Sequence, residues 1–255
     1  MDGSGDSSEK NQVLSKIVQI MDYVVHMDSS KFSMQQMSQD LQIPRGTLYR
    51  LIDALVEERL LIRQQKGFHI GLKVFEWTVE LLNQPDVVGL AHPFLQSLAL
   101  ESGLTASLYL RMNEYRVCLD RVESAATLRP TVRIGEALPL HVGAPGLVLL
   151  AWLPAEQRQL YLAQSRAQFP HYEQHADDSM FSRVRQQGWA LSLGERDEHM
   201  ASLSAPVFSA TGDVAAAIAL SGIRHQFRAE THIDNWREML VTTTVNISRL
   251  LGSQN

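Results

Sequence analysis

The chain has 255 residues, 45% of them hydrophobic and 20% charged, with a formal net charge of −5; this is the make-up of an ordinary globular protein with room for two compact domains. No run approaches the roughly 20 uninterrupted apolar residues of a membrane span. The opening MDGSGDSSEK lacks the basic start and apolar core of a secretory signal, so a cytoplasmic protein with a disordered tail over residues 1–10 is expected.

In chain order, apolar residues at Leu14, Ile17, Val18, Met21, Val24 and Val25 predict an amphipathic first helix. Ser33 can cap a short second helix whose Met34, Met37 and Leu41 face inward. After the break at Ile43-Pro44, the stripe Leu48, Leu51, Ile52 and Leu55 predicts a third helix with Pro44 at its start. Leu60-Leu61-Ile62 and Phe68-His69-Ile70 then read as two short strands joined by the loop Arg63 to Gly67. Leu72 to Leu82 has a broad apolar helical face, and Asn83-Gln84-Pro85-Asp86 interrupts it, which puts a domain boundary near Pro85.

A further helix runs toward Leu100 and stops at Ser102-Gly103. Leu104 to Leu110 and Tyr115 to Val122 are expected to pair as strands, and Ala144 to Leu153 to form an apolar helix behind the Gly- and Pro-rich stretch 135–146. Trp189 to Leu193, Ala201 to Phe208 and Val214 to Ser221 supply more strands, the last two joined by the turn-rich Ser209 to Asp213. A terminal helix spans about residues 230–251. Hairpins with helices between them imply an α+β layer around an antiparallel sheet.

Charge is distributed unevenly. From Lys10 to Lys73 there are nine Lys or Arg against six acids, whereas the tail ahead of it carries −3 and the remainder −5. A mildly basic segment beside an acidic body suits a nucleic-acid module joined to something else. On the third helix the apolar stripe leaves Arg45, Thr47, Tyr49, Arg50 and Asp53 on other faces near the helix start, where a recognition helix reads base edges. Arg45 and Thr47 are the candidate base readers; Tyr49 and Arg50, with Arg63 and Lys66 in the loop, are candidates for phosphate. Three-helix units also occur as plain packing motifs, but a hairpin directly after the third helix, with Arg and Lys at its tip, is what a winged helix requires.

Four stretches carry a resemblance: IPRGTLYRLIDALVEERLL, FHIGLKVFEW, GEALPLHVGAPGLVLLAWL and GWALSLGERDEHMASLSAPVFSATGDVAAAIALSG. Together they resemble the IclR family of bacterial transcription regulators over nearly the whole chain after the tail. The resemblance implies a winged helix-turn-helix (11–71), a linker helix (72–85) that mediates dimerisation, and an effector-binding domain (86–255) related in fold to the GAF and profilin type. It also implies homodimers, often paired as dimers of dimers, that bind palindromic double-stranded DNA operators and answer to a small-molecule effector.

The start of the helix at Ala144-Pro145-Gly146 offers free backbone N–H groups and the positive end of a dipole, a place for a carboxylate, although Pro and Gly there also merely shape turns. By resemblance, the effector would lie among Leu138, Gly143, Ala144, Pro145, Ser192, Met200, Ser202, Ala219 and Ser221. The chain departs from some members of that family at Ser192, where they have Asp, at Ser202, where they have Cys, and at Leu147, where they have Lys. By analogy a small organic acid is the leading ligand, with a neutral one left open.

Catalytic and metal alternatives draw little support. His171 and His175 in HYEQH, followed by Asp177 and Asp178, are not an HExxH pair and are expected to be exposed polar residues. His141 lacks a nucleophile elbow and an orienting acid, so a packed, hydrogen-bonded histidine is expected. Cys118, the one cysteine, lies in an apolar run that predicts a buried thiol. No cofactor and no catalytic residue are expected; a small-molecule enzyme or a protein-binding sensor using the second domain's cavity is the alternative.

Overall fold

A computed structural model describes residues 5–26, 33–64, 67–74, 76–77, 87–124, 132–172 and 177–253. The chain divides into two compact units, Met1–Gln84 and Pro85–Asn255.

In the first unit, helix α1 spans Gly5–His26, so it reaches back through residues 5–10 of the expected tail. No proline or glycine interrupts residues 6–26, and nothing local stops the helix from extending. Its packed face is also narrower than its apolar stripe. Ile20 and Val24 are buried, whereas Leu14, Val18 and Val25 are exposed. The short α2 (Met34–Asp40) is capped by Ser33, whose hydroxyl accepts from the Gln36 N–H, and α3 (Arg45–Glu57) begins after Pro44. Between them Gln42 takes a left-handed φ of 53°, and the Ser38 hydroxyl donates to the Ile43 carbonyl at 2.6 Å, which tightens the turn. Asp40 accepts from Tyr23 of α1 at 2.8 Å and from Gln36 at 2.7 Å, tying the first two helices.

Met37, Ile43, Leu48, Ile52 and Leu55 close the core of this unit with Ile20 and Val24. Strands β1 (Leu61–Gln64) and β2 (Gly67–Ile70) pair antiparallel and add Leu61 and Phe68 to that core. Residues 72–74 and 76–77 are helical. The rest of the expected linker helix, Pro85 included, lies outside the described residues.

The second unit is built on a six-stranded antiparallel sheet of order β5-β4-β3-β8-β7-β6. Its strands are β3 (Thr105–Met112), β4 (Tyr115–Val122), β5 (Ala137–Pro139), β6 (Ala190–Leu193), β7 (Met200–Phe208) and β8 (Val214–Ile223). Alternation of side chains at period two sorts the strands into two faces. Ala106, Leu108, Leu203, Ala205, Val207, Ala216, Ile218 and Leu220 pack with α4 (Val87–Ser102) and the C-terminal helix Glu230–Leu250. The opposite face holds Tyr109, Cys118, Ala190, Ala217 and Ala219 beneath α5 (Ala144–Ala151), α6 (Ala155–Gln168) and α7 (Asp178–Gln187).

Every residue of α5 is buried, so this helix lies flat on the sheet and needs alanines beneath it. Strand β5, helices α6 and α7 and the 3-10 turn Arg224–Arg228 were not among the elements expected. β5 is only three residues long and ends in proline, and the exposed residues of α6 outnumber its buried ones, which dilutes the apolar periodicity. Both units together give the expected α+β class. Among the described residues no helix is long and apolar enough to cross a membrane.

Candidate functional site

In the first unit α3 presents two unlike faces. Leu48, Ile52 and Leu55 are buried, while Arg45, Tyr49 and Arg50 are exposed and Thr47 is half-buried. Helical spacing alone produces this split, because residues at three- and four-residue steps share a face. The hairpin returns beside α3, and the guanidinium of Arg63 lies 2.7 Å from the Asp53 carboxylate and over the Phe68 ring. Arg63 therefore already has an acidic neighbour, which sequence spacing did not indicate. Both groups are more than half exposed, so the pair contributes little and is readily exchanged. Lys66 lies outside the described residues.

In the second unit a cavity of about 50 Å³ opens between the sheet and the start of α5. Gly143, Pro145, Ser192, Met200, Ser202 and Ser221 line it, so six of the nine expected ligand residues come together. The strand parity explains the convergence: Ser202 pairs with both Ser192 and Ser221 across the sheet, so all three hydroxyls stand in one row. Leu138, Ala144 and Ala219 are instead buried in the adjoining core.

Gly143 carries a φ of +83°, which only glycine adopts without strain, and this lets the chain turn sharply into α5. Gly146 sits so close to the preceding segment that a Cβ there would lie 2.1 Å from the Leu140 carbonyl oxygen.

The rest of the lining was not anticipated. It includes Tyr109, Arg116, Glu195, Arg196 and Asp197. Arg116 is 3% exposed and donates to the carbonyls of Pro139 and of Val142, the latter at 2.9 Å. Its guanidinium lies over the Tyr109 ring, and among the described residues its Nε has no hydrogen-bond partner. Burial, reinforced by nearby Arg196, pulls its pKa down to about 10, so it stays charged at neutral pH. Glu195 reaches the helix start: its carboxylate accepts from the Gly143 N–H at 2.9 Å. A signal for Arg116 was present in YRVCLDRV. Two residues from a cysteine read as buried, it had to share that cysteine's side of the strand.

The other chemically suggestive residues have structural roles. His141 is buried between the Ser165 hydroxyl at 2.9 Å and the Tyr172 carbonyl at 3.2 Å, and burial lowers its pKa. Asp177 caps α7 by accepting from the Met180 N–H at 3.0 Å, and Asp178 pairs with the nearly buried Arg158 at 2.8 Å. His171 is exposed, and His175 lies outside the described residues. Among the described residues no group of His, Cys, Asp and Glu could hold a metal. Cys118 is buried, which pushes its thiol up to about 11 and leaves it protonated.

Three helices with a hairpin, followed by an α+β unit with a cavity at a helix start, define a winged helix-turn-helix protein with an appended α+β domain. Comparison with known proteins agrees. The family model for the bacterial transcriptional regulator IclR C-terminal domain matches residues 79–249, and the chain belongs to the IclR family. It is 29% identical over 251 residues to the uncharacterized HTH-type transcriptional regulator RhmR of Escherichia coli K12, covering 96% of this chain and 95% of that one. It is 26% identical over 249 residues to the HTH-type transcriptional repressor AllR of the same organism, covering 94% and 90%. The crystal structure of the Thermotoga maritima IclR shares the fold, with a TM-score of 0.74 at 22% identity over 94% of this chain and 99% of that one. These relatives are transcription regulators rather than enzymes.

Proposed function

We propose that this protein is a ligand-controlled transcription regulator in which the exposed start of α3 reads the major groove of a palindromic operator. The observation that carries this reading is the two-faced α3. Its Arg45, Tyr49 and Arg50 are exposed at the helix start while the opposite face is locked into the core. Arg45 and Thr47 meet base edges, and Tyr49, Arg50, Arg63 and Lys66 hold phosphates. Two copies in a dimer read the two half-sites, as a symmetric operator demands, and dimers pair further into tetramers.

The effector is a small carboxylic acid seated at the start of α5 among the serines of the sheet. Its control is a coupling free energy. The effector must bind the DNA-competent and DNA-incompetent arrangements with different affinities, typically by about 1–3 kcal/mol.

Fluorescence anisotropy with the DNA upstream of the protein's own gene tests the reading. Binding is expected at nanomolar to micromolar concentration and to weaken steeply as salt rises. Arg45→Ala should abolish the preference for that DNA over an unrelated duplex while leaving the melting temperature unchanged. Equal binding of both duplexes by the unaltered protein overturns the assignment.

A further inference from the structure

We propose that Arg116 restricts this cavity to carboxylate ligands, and that Glu195 is a built-in carboxylate which such a ligand displaces; this rests on the reading of the cavity as the effector site. Three observations converge on one point. The Gly143 N–H is bonded to Glu195 at 2.9 Å. A Cβ built on Gly143 would lie 3.5 Å from an Arg116 Nη, so the guanidinium borders the turn that carries this N–H, and both line the one cavity. Third, Arg116 is buried, and among the described residues its Nε has no hydrogen-bond partner and its guanidinium forms no ion pair with a carboxylate.

A buried guanidinium held by carbonyl dipoles and an aromatic face has lost its hydration without gaining a counter-charge. An anion beside it repays that loss, and a neutral amide of the same shape does not. The cavity lining carries Arg116 and Arg196 against Glu195 and Asp197, so its charges balance while Glu195 points inward. Moving Glu195 out to solvent leaves one cation in excess, which a single ligand carboxylate neutralises.

Space argues in the same direction. About 50 Å³ holds a few waters, whereas ligand sites usually need roughly 300 Å³ or more. The connection from β6 to β7 that carries Glu195 is the segment whose displacement enlarges the cavity. It is irregular between Leu193 and Met200, and Glu195 and Arg196 within it are only half-buried. The ligand therefore competes with the chain for one N–H, and its apparent affinity is reduced by the fraction of molecules in which Glu195 is seated.

Titration calorimetry on the full chain distinguishes the outcomes, with acetate, succinate and benzoate as probes against acetamide, succinamide and benzamide. At least one acid should bind about tenfold or more tightly than its amide. Glu195→Ala should tighten that acid by about threefold to tenfold, because its competitor is gone. Arg116→Met should weaken the acid by about tenfold to a hundredfold and shift its amide by less than about threefold, with Arg116→Lys in between.

Should Arg116→Met fail to fold, the acid-to-amide ratio in the unaltered protein and in Glu195→Ala decides alone. Amides binding as well as acids, or acids unaffected by Glu195→Ala, overturn the proposal. If a neutral amide binds and releases the protein from its DNA, the effector-site reading survives and this proposal falls. If neither series binds Glu195→Ala or alters DNA binding, both fall.

Discussion

The two units treat arginine in opposite ways. Arg45 and Arg50 of α3 are exposed to solvent, keep their hydration there and so cost the fold almost nothing. Arg116 of β4 is buried under α5, held by carbonyl oxygens and an aromatic ring, and the surrounding structure must offset its desolvation. An exposed cation suits a partner that brings many charges and carries its own water. A buried cation suits a small ligand that must be recognised one group at a time. Under the proposed reading, the same side chain meets a duplex from solvent in one unit and a small ligand from within the core in the other.

The contrast can be broken by substitutions that should each disturb one unit alone, followed by calorimetric melting. The largest effect is expected from Gly146→Val. Its Cβ would meet the Leu140 carbonyl oxygen at 2.1 Å and an Arg116 Nη at 3.2 Å, so α5 must lift off. A loss above about 4 kcal/mol in the second unit should result, with the first unit's transition unmoved. Ile52→Ala removes a fully buried side chain from the first unit and should cost it about 2–5 kcal/mol. A shift of both transitions by either substitution would show that the units melt as one.

Acidity provides a smaller and more specific probe. Burial holds His141 below the ordinary histidine range. As pH falls from 7, the unfolded chain takes up this proton before the folded one does. Stability of the second unit should therefore decline as pH drops below about 6.5, by at most about 1.4 kcal/mol per pH unit for this group. His141→Asn should flatten that decline, and an unchanged slope would show that other groups set it. The smallest effect is expected from Ser33→Ala. The Ser33 cap of α2 is long at 3.4 Å, so its loss should cost the first unit only about 0.5 kcal/mol.

Legibility of the chain differed between the units for a physical reason. The first unit's candidate site is a matter of one helix: once Leu48, Ile52 and Leu55 are assigned inward, Arg45, Tyr49 and Arg50 must face elsewhere. Arg63 was harder, because its pairing with Asp53 crosses from hairpin to helix, and no local pattern records it. In the second unit, the residues themselves marked the helix start, and similarity to a family supplied the serine row around it. Arg116 and Glu195 escaped because they come to line one cavity only after β4, the β6 to β7 connection and the Gly143 turn have been brought together.

Periodicity determined which face of each amphipathic element is dry, since three- and four-residue steps or alternate residues are properties of the backbone itself. It therefore settled most of the helices and strands of both units and the outward residues of α3. Tertiary structure alone decided which face of the sheet α5 covers, that Leu138, Ala144 and Ala219 lie in the core beside the cavity, and that a carboxylate of the chain's own sits on the Gly143 N–H. Those outcomes depend on contacts between segments far apart in the chain, such as Gly143 and Glu195, and the energies that select them exist only once the segments have met.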